Sequence, residues 1–166
     1  MPMLLSAADG GVTEVAQTFQ GVDLDGALPE GDVILSLVRF QADGDRLLSQ
    51  DRRVGVRLAA DEAVEALAYD LPRLAVVALD FPKFRDGRAL TSARLLRERY
   101  RFTGEIRAVG DVLREQAGFM LRCGFDAFEP SDGSTAEEWA AACRRYRHVY
   151  QRAADAQPPA YEERGA

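Results

Sequence analysis

Three cations, one carboxylate and a glycine crowd into Lys83-Phe84-Arg85-Asp86-Gly87-Arg88, a mixture suited to holding an anion. The free N–H groups of a helix expected to begin just after this segment favour negative charge as well. Phosphate, sulfate, sulfite or a carboxylate would be bound there through Lys83, Asp86, Gly87 and Arg88. A solvated turn accounts for the same residues without a ligand. In that reading Asp86 caps the helix and pairs with Arg88, and Gly87 takes a positive φ. Lys83 is the one lysine among 21 basic residues, which makes its position worth following.

Arg107 is the second group that invites chemistry, because it interrupts the apolar run Glu105-Ile106-Arg107-Ala108-Val109. Unpaired in the middle of a buried strand, it would cost on the order of several kcal/mol. It therefore needs a carboxylate, with Asp80 and Glu129 the candidates on the same face, or it extends to join the anion site beside Lys83 and Arg88. Asp80 and Asp111 stand near strand ends and could serve as acid or base, although helix capping explains Asp111 more simply. Arg94, Arg97 and Arg101 recur at helical spacing, with Glu98 in reach of Arg94 at i+4. They read as a solvated face or as a surface for an acidic protein.

Equally informative are the motifs that are missing. No G-x-G-x-x-G follows a strand, and there is no phosphate loop of the Walker type, no G-x-S-x-G elbow and no H-E-x-x-H. Cys123 and Cys143, with the one histidine His148, assemble neither a redox pair nor a zinc or iron–sulfur ligand set. No metal and no cofactor are expected, the thiols fit core positions, and whether the chain is an enzyme stays open.

These residues are positioned by a repeating unit, an apolar strand followed by an amphipathic segment. Val33 to Phe40 reads as a strand buried on both faces, and the polar stretch 41–53 as its connection. Val54 to Leu58 leads to a helix carrying Val64, Leu67, Ala68 and Leu71, ended by Pro72. Leu74 to Phe81 leads through the charged loop to a helix with Ala89, Ala93, Leu96 and Tyr100 inward. Glu105 to Val109 leads to a helix N-capped by Asp111, closed by Gly124 with Phe125 behind it in the manner of a Schellman end. Asp126 to Glu129 precedes a capping box at Ser134-Thr135-Ala136-Glu137 and a helix striped by Trp139, Cys143, Tyr146 and Tyr150.

Alternation of this kind predicts an α/β fold with a mostly parallel sheet of about five strands and four helices, either flavodoxin-like or half of a β/α barrel. Residues 1–30 read as an irregular N-terminal arm or hairpin, 31–153 as a single α/β domain and 154–166 as a C-terminal tail, poorly ordered or docked only by Tyr161. Strand-to-helix loops gather at the carboxyl ends of the strands in such folds, so the long charged loop is where a site is expected.

Composition narrows the partners. At 166 residues the chain has the size of one domain of roughly 100–200 residues. A net charge of −6 and a pI near 4.9 repel phosphodiester backbones and anionic lipid, so neither nucleic acid nor membrane is expected. No apolar run approaches the roughly 18 residues of a membrane span, and Met1-Pro2-Met3-Leu4-Leu5-Ser6 lacks the basic flank of a leader. The cytoplasm is the expected address, and exposed sheet edges invite a homodimer.

The run from Leu79 to Glu129 carries F-P-K-F-x-D-G-R, A-R-x-L-R, E-I-R-A-x-G-D-V and R-C-G-F-D-x-F. In these elements it resembles a bacterial domain-of-unknown-function family, the DUF934 type, often encoded beside assimilatory sulfite reductase. The family pattern differs at Asp80 (Glu), Arg85 (Thr), Ala89-Leu90 (Gly-Tyr) and Glu115 (Asp). The resemblance implies an accessory role in sulfur assimilation at sulfite reduction, with the basic loop binding a small oxyanion or a sulfite reductase component. The competing expectation is a β/α-barrel enzyme acting on a small phosphorylated or sulfur-containing substrate, with Asp80 or Asp111 as acid–base.

Overall fold

The computed structural model describes residues 3–8 and 11–163; the terminal expectations that fall on 1–2, 9–10 and 164–166 lie outside them. The chain opens with strands β1 (Leu4–Ala8) and β2 (Gly11–Val15), paired antiparallel. Six parallel strands then follow in sequence order: β3 (Gln20–Val22), β4 (Val33–Ser36), β5 (Val54–Leu58), β6 (Val76–Phe81), β7 (Glu105–Gly110) and β8 (Ala127–Phe128). Because β1 also pairs antiparallel with β8, one eight-stranded sheet results, in the order β2-β1-β8-β7-β6-β5-β4-β3.

Class and repeat therefore agree with the α/β expectation, while the details differ. Among the described residues the sheet has eight strands rather than about five, its first two pairings are antiparallel, and five α-helices occur rather than four. The strand order never reverses, so there is no switch point of the flavodoxin kind.

The link between β2 and β3 dictates the shape. These strands occupy opposite edges of the sheet, yet only residues 16–19 join them. A flat eight-stranded sheet would be about 34 Å wide, whereas the five Cα steps from Val15 to Gln20 reach at most about 18 Å. The sheet must curl into a half-barrel, and residues 16–19 form a strap across its concave face.

Period-two alternation separates the two faces. Leu35, Val56, Leu58, Val77, Leu79, Ile106, Ala108 and Phe128 turn outward under the helices and form the core. The alternate positions Ser36, Arg57, Ala78, Asp80, Arg107 and Val109 turn inward. The register Arg57↔Ala78↔Arg107↔Ala127 sets Arg57 and Arg107 in one row, with only Ala78 between them.

Several connections depart from the sequence reading for local reasons. The strand from Val33 stops at Ser36, whose side chain accepts from the Arg39 N–H at 3.3 Å and caps helix α1 (Leu37–Leu48). Between β5 and β6 the expected helix is replaced by 3₁₀ turns at Val64–Leu67 and Leu71–Arg73, still burying Val64, Leu67 and Leu71. Pro72 offers no N–H and disfavours the α conformation at Leu71.

Helix α2 (Arg88–Arg94) continues into a widened π turn, Leu95–Arg99, and α3 (Ala117–Cys123) ends as read, with Gly124 at φ 101° and the Phe125 N–H donating to Met120. Helix α4 (Ala136–Cys143) does open on a capping box, shifted one residue to Thr135 and Glu138. It stops at Cys143, leaving Tyr146 and Tyr150 exposed rather than on a buried stripe. The short α5 (Ala160–Glu163) closes the described chain. The segment before it is held by Ala154 N–H on the Arg122 carbonyl, an Arg122–Asp155 pair and a bridge between Val149 and Pro159, while Tyr161 is exposed.

Candidate functional site

The charged loop lies where βα logic puts it, at the carboxyl end of β6. Its backbone is braced from the next unit. Asp111 accepts from the Phe84 N–H at 2.8 Å, and the Gln116 amide donates to the Phe84 carbonyl at 2.5 Å. Asp111 is thus a brace and not a helix cap. Leu113, directly before the next helical turn, is extended. The other carboxylate oxygen of Asp111 accepts from the Ser131 hydroxyl at 3.4 Å.

Within the loop Asp86 and Arg88 form a closed clamp. The guanidinium donates at 2.6 and 2.9 Å to the two carboxylate oxygens, and the Arg88 N–H adds a bond at 3.2 Å. These bonds hold the Asp86 carboxyl down at about 2. Gly87 sits at φ −84°, so the positive φ of the turn reading is not used. Lys83 and Arg85 have no ion-pair partner among the described residues, and Phe84 between them is 45% exposed.

Arg107 does not join this loop. It lies inside the half-barrel, 1% exposed, with Nε on Glu105 at 2.6 Å and Nη1 on Gln17 at 2.8 Å and on Glu129 at 3.3 Å. Gln17 closes the set by donating to Glu129 at 2.8 Å. Of the two carboxylates expected to meet Arg107, Glu129 does so and Asp80 does not. Asp80 instead pairs with Arg57 at 2.5 Å.

The strap is pinned at its lower end by Arg53, which donates to Thr18 and lies 4.8 Å above the Phe19 ring, while Arg107 stands 5.8 Å from the same ring. Between strap and strands is a cavity of about 410 Å3 lined by Gln17, Ile34, Arg57, Arg107, Val109 and Glu129, among others.

Arg57 and Gln17 are site residues beyond those the sequence motifs point to. A signal for Arg57 existed, since Val-Gly-Val-Arg-Leu places an arginine inside an apolar strand as Glu-Ile-Arg-Ala-Val does for Arg107. Gln17 had none, because only the curl brings it to β7. Cys123 and Cys143 are free and half-buried, and burial raises both thiols above their usual range. His148 faces Glu163 at the surface. Among the described residues, no three His, Cys, Asp or Glu side chains are grouped to hold a metal ion, and no helix is long and apolar enough to cross a membrane.

Fold and site together define a half-barrel α/β protein with a braced basic loop at its strand ends and a polar lumen open at one rim. The chain belongs to a bacterial family of unknown function, DUF934, which it matches over residues 55–161, well over half its length. The match takes in the loop, β5 to β8 and both lumen arginines, and begins after the strap. No curated protein matches the chain.

Proposed function

We propose that this protein is an accessory component of sulfur assimilation at the sulfite-reduction step, docking an acidic face of a reductase component with its β6–α2 loop. The pathway is supported by the resemblance of Leu79 to Glu129 to the family encoded beside sulfite reductase. The docking role is carried by one observation: a loop braced by Asp111 and Gln116 presents an exposed Phe84 between Lys83 and Arg85, two cations with no ion-pair partner among the described residues.

An aromatic flanked by positive charge on a pre-ordered loop is the makeup of an interface anchor, whose ordering cost is met before binding. A small oxyanion is less well served, because Arg88 is already neutralised by Asp86 and Arg107 lies elsewhere. The enzyme reading gains nothing from the carboxylates, since Asp80 is committed to Arg57 and Asp111 to the loop backbone.

Binding of purified assimilatory sulfite reductase to the immobilised chain tests this. Capture is expected at low salt, weakening as salt is raised, and lost in Lys83→Glu/Arg85→Glu. Equal capture by wild type and variant, or none at low salt, overturns the assignment.

A further inference from the structure

The lumen holds polar capacity that the protein itself does not use. Arg107 is buried, and its Nη2 has no hydrogen-bond partner among the described residues, since Nε and Nη1 account for Glu105, Gln17 and Glu129. Glu129 spends Oε1 on Gln17 and Arg107 and leaves Oε2 unengaged. Arg57 gives Nη2 to Asp80 and keeps its remaining donors. All three side chains line the same cavity, whose other walls include Ile34, Ala78 and Val109. The free donor of Arg107 and the free acceptor of Glu129 both open onto the cavity, where one small molecule with an anionic and a cationic end would engage the two together.

The charges select what that something is. Of the charged groups among the described residues only Arg57, Arg107 and Glu129 line the cavity, and Asp80 and Glu105 pair with the two arginines from outside it, so the ion-paired cluster as a whole carries an excess of one negative charge. A bare dianion such as sulfate would enter against that excess. A carboxylate that brings its own ammonium would not, and it would use the free donors and the free acceptor together.

We infer that the cavity binds a small zwitterion of the α-amino acid class, its carboxylate on Arg107 Nη2 and Arg57 and its ammonium on Glu129. The volume of about 410 Å3 is of the order of small-molecule sites, about 300–1,000 Å3. The apolar wall of Ile34, Ala78 and Val109 would take the side chain. This site is separate from the β6–α2 loop and does not depend on the docking role.

The test is a thermal shift of the full chain against each proteinogenic amino acid singly, with sodium sulfate at matched ionic strength, followed by titration calorimetry on any amino acid that shifts it. At least one amino acid is expected to raise Tm and sulfate is not. Arg57→Gln alters a half-exposed side chain at the rim and is expected to weaken that binding about tenfold or more, the effect of losing a charged hydrogen bond. Glu129→Gln should do the same, and Lys83→Glu/Arg85→Glu should leave it unchanged. No shift with any amino acid, a matching shift with sulfate, or undiminished affinity in Arg57→Gln overturns the proposal.

Discussion

Single residues here divide sharply between those whose charge is spent and those whose charge is kept available. Asp86 belongs to the first group. Its carboxyl sits at about 2 instead of 3.8 because the Arg88 side chain, and then the Arg88 N–H, donate to the charged form. A carboxyl depressed on folding stabilises the loop fully above its unfolded value and loses that contribution as pH falls through its folded one. The stabilisation should therefore be complete above about pH 3.8 and decline as pH falls toward 2, with the Asp86–Arg88 clamp itself opening as pH passes through about 2. A 13C NMR titration of the Asp86 carboxyl should show a midpoint near 2, rising part of the way toward 3.8 in Arg88→Ala, which removes the guanidinium and keeps the backbone N–H; an ordinary midpoint in the wild type would refute the clamp. Arg97 shows how position alone misleads. Its spacing with Arg94 and Arg101 reads as a solvated face, and Arg94 does pair with Glu98 at 2.8 Å. Arg97 instead turns inward to the carbonyls of Phe102, Gly104 and Gly124 and to Asp126.

At the scale of elements, local chemistry sets the boundaries. The α2 helix widens into its π turn and ends on Arg101 at φ 54°, with the Phe102 N–H donating to the Leu96 carbonyl. This is a left-handed helix terminus where glycine would be the usual residue. Arg101 is exposed and makes no hydrogen bond among the described residues, so Arg101→Gly should stabilise the protein by about 1 kcal/mol, the steric cost of φ > 0 for a residue with a Cβ. Urea denaturation would measure it, and an unchanged or lower midpoint would count against the strain. Gly110 shows the opposite case. At φ 93°, a Cβ there would come to 2.5 Å from the Phe81 carbonyl oxygen and 2.8 Å from Asp80, so glycine is what allows β7 to turn toward Asp111 beside the loop. The α1 helix escaped the sequence reading because Val33 to Phe40 is a continuous apolar run, and periodicity alone does not separate a strand from the first turn of a buried helix. The Ser36 cap was the discriminating signal. Gly44 then sits mid-helix under the Phe40 ring, where a Cβ would come to 2.8 Å.

For the whole molecule, the strap is what turns the concave face of a curled sheet into a lumen. Phe19 is 6% exposed and lies between the guanidinium groups of Arg53 and Arg107. Truncating it removes a buried ring and leaves Arg107 facing a larger void. Phe19→Ala should destabilise the protein by about 3 kcal/mol, as large-to-small changes at buried aromatics do. Trp139, the one tryptophan, is buried against Phe128 with ring centroids 4.7 Å apart and reports unfolding by fluorescence. A loss below about 1 kcal/mol, the level of a surface substitution, would mean that the strap is not part of the folded core.

What the sequence determined by itself is local. The strand at β7, the Gly124–Phe125 helix end, the α4 capping box and the need of Arg107 for a carboxylate all follow from residues a few positions apart, because propensity, capping and period-two burial act over that range. Only the tertiary structure decided that the sheet curls, that the hairpin extends it beyond β8, and that Arg107 turns into a lumen instead of joining Lys83 and Arg88. Gln17 and Arg107 stand 90 positions apart, and nothing in the pattern around either announces the other. Their meeting depends on a four-residue strap too short to let the sheet lie flat, a constraint of reach and closure that exists only once all eight strands are paired.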